Sequence, residues 1–120
     1  MTTVVNVKVK YIRPTFDNLQ EWENEENHEY IGRGGVVFIN KERYPKRNSK
    51  WHNPYKISKN GLTREQALEK YEKHLEHMLK DPTTKEEFLA LKNKTLGCWC
   101  HPEQCHGDII VKVLNTICDT

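Results

Sequence analysis

Cys98, Cys100, Cys105 and His106 crowd into nine residues near the end of the chain, in TLGCWCHPEQCHGDII, residues 95–110. Those side chains admit three chemistries. All four are soft or borderline metal donors, so zinc is one. The C-x-C-x4-C-H spacing lacks a C-x2-C knuckle, however, and adjacent Cys105 and His106 would both have to turn toward one ion. Zinc on Cys98, Cys100, Cys105 and His106 is therefore the alternative, and no cofactor is expected. The second chemistry is nucleophilic. A cysteine just before a helix feels the positive end of the helix dipole, and a neighbouring histidine can act as base or as cation. Cys105 and His106 are the candidate catalytic pair on that basis. The third is anion binding by the N–H groups of the helix start, at Gly107 and Asp108. Against all three stands plain packing, since cysteine behaves as a small hydrophobe in a buried strand.

These residues need a scaffold, and the surrounding pattern predicts one. Thr95 to Cys100 has the length of a short buried strand, with Cys98 and Cys100 on one face and Trp99 on the other. HPEQCH reads as a loop. Gly107 to about Ile117 reads as a helix with Ile109, Ile110, Val113, Leu114 and Ile117 inward. Strand, loop and helix in this order place ligands at the carboxyl end of the strand in α/β proteins.

Upstream, TVVNVKVKYI alternates, with Val5, Val7, Val9 and Tyr11 on one side, and predicts a half-buried strand ended by Pro14. EYIGRGGVVFIN predicts a strand, a glycine turn and a second strand from Val36 to Ile39. Thr63 with Gln66 forms a capping box that opens a helix with an apolar stripe from Ala67 to Leu79, which Pro82 closes. His74 and His77 on that helix read as surface residues. Thr84 with Glu87 predicts the start of a further short helix through Phe88, Leu89 and Leu91. The expected fold is a small single α/β domain over residues 1–120, a short mixed sheet flanked by helices and ending in the strand–Cys/His loop–helix unit.

Composition bounds the functional classes. The chain has 120 residues, 30% charged and 36% hydrophobic, enough for one modest core. No apolar run approaches the roughly 18 residues of a membrane span, and MTTVVNVKVK has no signal-peptide centre. The expectation is an intracellular, cytoplasmic protein with no membrane partner, in the host cell or virion if virus-encoded. In a reducing compartment the cysteines are thiols, ligands or catalytic groups before they are disulfides.

The net charge of +2 conceals segregation. Residues 17–29 carry six acids and no base, whereas residues 41–59 carry seven bases against Glu42. Lys46, Arg47 and Lys50, interleaved with Tyr44, Trp51 and Tyr55, could contact nucleic-acid phosphates and bases. Alternatively this is a solvated stretch facing the acidic segment.

The segments YIGRG, SKWHNPYKI, GLTREQALEKYEKHL and KTLGCWCHPEQCHGDIIVKVL resemble, in order, domain-of-unknown-function family 4326, whose members are scattered through bacteria, phages and large DNA viruses. The shared positions are Tyr30, Ile31, Gly32, Arg33, Lys50, Trp51, Asn53, Pro54, Gly97, Cys98, Trp99, Cys100, Cys105, His106, Gly107 and Asp108. His52 stands where that family usually has glycine, and residues from about 35 to 48 look like a basic insertion. The ending is more distantly similar to domain-of-unknown-function family 488. Neither resemblance implies a reaction.

Taken together, the motifs predict one pocket. Arg33 would clamp a phosphate or carboxylate, Trp51 would stack on a planar group, and Asn53 would read an amide or hydroxyl edge. Gly107 and Asp108 would offer the helix start, with Cys105 or His106 reactive. The expected ligand is a nucleotide, nucleoside or exposed base. The competing class is a non-enzymatic module, homodimeric in one form, whose cysteines hold a turn or zinc while Lys46, Arg47 and Lys50 bind nucleic acid or an acidic partner.

Overall fold

The first strand is shorter than its alternation predicts. In the computed structural model, which describes residues 2–55, 61–99 and 104–118, β1 (Thr3–Asn6) ends where the Asn6 side-chain oxygen accepts the Lys8 N–H at 2.9 Å. That local bond offers the backbone a turn instead of a continued strand. A single turn of helix follows, α1 (Val9–Ile12). Val9 and Tyr11 consequently face solvent, while Val7 and Ile12 are buried.

The acidic segment forms α2 (Leu19–Asn24), capped by the Asn18 side chain on the Glu21 N–H, with Leu19 and Trp22 buried. Next come β2 (His28–Tyr30), β3 (Val37–Ile39) and β4 (Glu42–Tyr44). The last two form an antiparallel hairpin, with Ile39 opposite Glu42. Its two-residue turn is Asn40-Lys41, both at positive φ (52° and 67°), the backbone twist that a tight hairpin requires. Residues 35–48, expected to be a basic insertion, are therefore built around this hairpin, whose second strand the sequence reading did not foresee.

The helical half follows its caps. α3 (Arg64–Met78) starts from the predicted reciprocal box of Thr63 and Gln66, and buries Ala67, Leu68, Tyr71 and Leu75. Pro82 does not close this helix; it occupies the first turn of α4 (Pro82–Leu89), whose cap is Asp81 and not Thr84. The Asp81 carboxylate takes both the N–H and the hydroxyl of Thr84, and proline's fixed φ suits a helix start. β5 (Thr95–Cys98) and α5 (His106–Cys118) complete the chain. The expected extension of the last strand to Cys100 falls on a residue outside the described ones.

β1, β5 and β2 form a wholly parallel three-stranded sheet with β5 central, and the hairpin is a separate sheet. The fold is a small α/β domain, with its parallel and antiparallel pairings in different sheets. Side chains alternate across β5. Leu96 and Cys98 enter a core shared with α3, α4 and α5, around Tyr71, Phe88 and Ile110. Gly97 faces the opposite layer, where Val7, Leu19, Trp22 and Tyr30 pack. A Cβ at Gly97 would sit 2.6 Å from the Trp22 ring and 2.7 Å from Val7, so only glycine permits this approach. Because all three strands run the same way, their carboxyl ends share one edge, and the cysteine and histidine gather there.

Candidate functional site

A cavity of about 380 Å³ opens beyond the carboxyl ends of β2 and β5. Its walls come from Gly32 and Arg33 after β2, Asn53 and Tyr55 in the Trp-His-Asn-Pro turn, Arg64 and Leu68 of α3, Cys98 at the end of β5 and Trp99 just after it, Cys105 and His106 at α5, and Val36. Five of the residues singled out from sequence thus line one cavity: Arg33, Asn53, Cys98, Cys105 and His106. Among the described residues, the lining holds two guanidiniums and no carboxylate.

The Cys105 Sγ donates to the Cys98 Sγ across 3.2 Å, and both side chains are almost fully buried. Strand geometry delivers Cys98 to this point, and the residue preceding α5 delivers Cys105. The bond to Cys98 and burial together push the Cys105 thiol far up, against a smaller opposing pull from the Gly107 and Asp108 backbone N–H groups. Cys105 therefore rests as a thiol, not as the lowered-pKa thiolate that the helix dipole alone would produce. Cys100 lies outside the described residues.

His106 is fixed by the strand beside it. Its Nε2 lies 2.6 Å from the Ile31 carbonyl oxygen, and its ring meets the edge of Tyr71 at 5.1 Å between centroids. A carbonyl only accepts, so Nε2 carries the proton. Burial pushes the imidazole down to about 4, reinforced by nearby His52 and Arg33 and opposed by the Ile31 bond and Asp108. At neutral pH it is uncharged, and Nδ1 is left as a lone-pair acceptor.

Arg33 donates through Nε and Nη2 to the Asn53 carbonyl at 3.3 and 2.7 Å, which aims the guanidinium while leaving other N–H groups for a ligand. The Asn53 side-chain oxygen instead takes the Tyr55 N–H at 2.8 Å and shapes the turn. Trp51 is a core residue that packs edge-on against Phe88, and its carbonyl accepts the buried Tyr71 hydroxyl at 2.7 Å. It lies outside the lining of this cavity, where the aromatic surfaces are Tyr55 and Trp99. Trp99 is held by its indole N–H on the Tyr30 hydroxyl, which in turn donates to the Arg33 carbonyl, both at 2.7 Å.

The helix start is occupied by its own chain. The Asp108 carboxylate accepts the Cys105 N–H at 3.0 Å, and the Asp108 N–H returns to the Cys105 carbonyl at 3.0 Å, a reciprocal cap. Gly107 is a packing residue, since a Cβ there would lie 3.0 Å from both Ile31 and Val4. Neither residue lines the cavity.

Sequence reasoning missed Arg64 and assigned Trp99 to the far face. One signal for Arg64 existed: a cation in the first turn of a helix opposes the dipole and calls for another reason to be there. It reaches the Gln104 carbonyl at 2.8 Å, across the cavity's mouth from α3 to the segment before α5.

Lys46, Arg47 and Lys50 are exposed and lie along a different cavity of about 620 Å³, which also has Glu23, Glu29 and Glu42 in its wall. Lys50 pairs with Glu87 at 2.7 Å, and the Tyr44 hydroxyl donates to Glu23 at 2.9 Å. The basic stretch thus meets the acidic segment of its own chain. Among the described residues, no group of three or more His, Cys, Asp or Glu side chains is placed to hold a metal. No helix among them is long and apolar enough to cross a membrane.

Comparison with known families matches residues 16–116 to the model described as Domain of unknown function (DUF4326). The chain belongs to this family. The match takes in β2 through nearly all of α5, and so every residue of the DUF4326 cavity wall named above. A relative from Enterobacteria phage T4, the "Uncharacterized 12.4 kDa protein in nrdA-td intergenic region", is 36% identical over 62 residues. That alignment covers 51% of this chain and 57% of the relative, so the chain spans little more than half of it. The chain is accordingly similar to a phage protein over about half its length. No solved structure matches the chain.

Proposed function

We propose that this DUF4326 chain binds a nucleotide, nucleoside or exposed base in the cavity at the carboxyl ends of β2 and β5. The observation that carries the reading is the composition of the wall: the guanidiniums of Arg33 and Arg64 beside the rings of Tyr55 and Trp99. Paired guanidiniums suit an oxyanion, and flanking aromatic and aliphatic surface suits a planar apolar moiety. A nucleoside phosphate has both. The volume of about 380 Å³ is within the ordinary range for small-molecule pockets. Neutral His106 would serve as a proton acceptor through Nδ1, and Cys105 as the neighbouring reactive group.

A thermal-shift panel of nucleoside mono-, di- and triphosphates, nucleosides and bases tests this. A ligand at roughly 100 times its dissociation constant stabilises the fold by about 2.7 kcal/mol, a readily measured shift. Phosphorylated ligands should stabilise the wild type most, with Arg33→Gln and Arg64→Gln each weakening them roughly tenfold or more, as expected for a lost charge-assisted bond. Cys105→Ser separates binding from chemistry, because it should retain the shift. Absence of any shift across the panel would remove the reading.

A further inference from the structure

Cys98 and Cys105 are joined through a short connection, yet they arrive from different elements, one ending β5 and the other preceding α5. Their sulfurs stand 3.2 Å apart, and both face the cavity described above. A disulfide needs about 2.05 Å, so closure asks for an approach of about 1 Å. Packing alone explains buried sulfur, but it does not require a sulfur–sulfur hydrogen bond at the wall of a cavity.

We propose that Cys98 and Cys105 form a redox-active dithiol that reduces a hydroperoxide small enough to enter the cavity, and that the pair closes to an intramolecular disulfide. The Cys98 sulfur, which accepts the Cys105 hydrogen, gives up its own proton and attacks one peroxide oxygen. The O–O bond breaks, Cys98 becomes a sulfenic acid, and the departing hydroxide takes the proton to leave as water. Cys105 then attacks the Cys98 sulfur. The S–O bond breaks and the hydroxyl departs with the Cys105 proton as a second water. Two thiols and one hydrogen peroxide thus give one disulfide and two waters. A thiol reductant restores the pair by exchange. Burial keeps large disulfides away from these sulfurs, whereas the cavity admits a small oxidant. This activity does not rest on nucleotide binding, and either reading can stand without the other.

The test uses the full chain, fully reduced, treated with stoichiometric hydrogen peroxide at neutral pH, then alkylated and examined by intact mass and peptide mapping. The wild type should lose two hydrogens, consume one peroxide per chain, yield a bridge mapped to Cys98 and Cys105, and revert with dithiothreitol. A Cys100→Ser, Cys118→Ser double variant should do the same. Cys98→Ser or Cys105→Ser should slow peroxide consumption roughly tenfold or more. The proposal is overturned if the wild type forms no bridge, if the bridge involves Cys100 or Cys118, or if sulfinic acid accumulates without one. The wild-type mapping decides the matter even where a serine variant fails to fold.

Discussion

The imidazole Nε2 of His106 and the carbonyl oxygen of Ile31 lie 2.6 Å apart, joining the first turn of α5 to the residue that follows β2. One bond therefore sets the tautomer of the histidine and the position of the helix start against the sheet.

The burial around His106, opposed in part by that bond, makes stability depend on pH. The folded pKa of His106 is pushed down to about 4, against about 6.5 in an unfolded chain. Between those values the unfolded state binds the extra proton, so stability rises with pH. It is complete above about pH 6.5 and falls as pH drops toward 4, by about 3 kcal/mol in all for this group. Urea midpoints from pH 4 to 8 should show this slope, and His106→Gln should flatten it by nearly one proton.

Asp108 should matter to folding. Removing its carboxylate by Asp108→Ala leaves the Cys105 N–H without its 3.0 Å acceptor and should cost about 1 kcal/mol of stability. Asp108→Asn, which keeps an acceptor oxygen, should recover most of it. Chemical denaturation of the three proteins measures both steps.

Gly97→Ala should destabilise by about 1–3 kcal/mol, as overpacking does. The added methyl meets Trp22 and Val7, both buried and neither able to withdraw to solvent. A second substitution, Trp22→Leu, should offset part of that loss in a double-mutant cycle, since the two positions share one contact.

Tyr71→Phe should cost about 1–3 kcal/mol, because the Trp51 carbonyl would lose the 2.7 Å donor it has inside the core. Tyr71 also abuts the His106 ring. The variant should accordingly move the His106 titration in an NMR pH series, whereas Lys50→Ala, which breaks an exposed ion pair and a long cation–π contact to Trp51, should leave stability within about 0.5 kcal/mol.

Local patterns were legible where one short-range rule governs. The Thr63–Gln66 box starts α3, the inward stripe of α5 packs on the core through Ile109, Ile110 and Leu114, and Cys98 lies in the strand its spacing implies. The reading failed where two local rules competed. Alternation favoured a strand through Tyr11, but the Asn6 side chain captured the Lys8 N–H first. Likewise Asp81 took the cap that Thr84 and Glu87 had suggested, because proline at the following position already suits a helix start.

The sequence by itself determined the ingredients: an α/β order of elements, a Cys/His strand–loop–helix ending, and membership features spread across most of the chain. Its residue types also named Arg33, Trp51, Asn53, Cys98, Cys100, Cys105 and His106 as one group. Only the tertiary structure decided which of the named side chains face the cavity. Parallel pairing of β2 and β5 brings Arg33 and Cys98 to one edge, while core packing withdraws Trp51 and self-capping occupies Asp108. Chemical pattern along a chain specifies what a residue can do. Which groups it meets depends on long-range register and burial, and in this protein those turn a dipole-activated thiolate into a buried thiol hydrogen-bonded to a second sulfur.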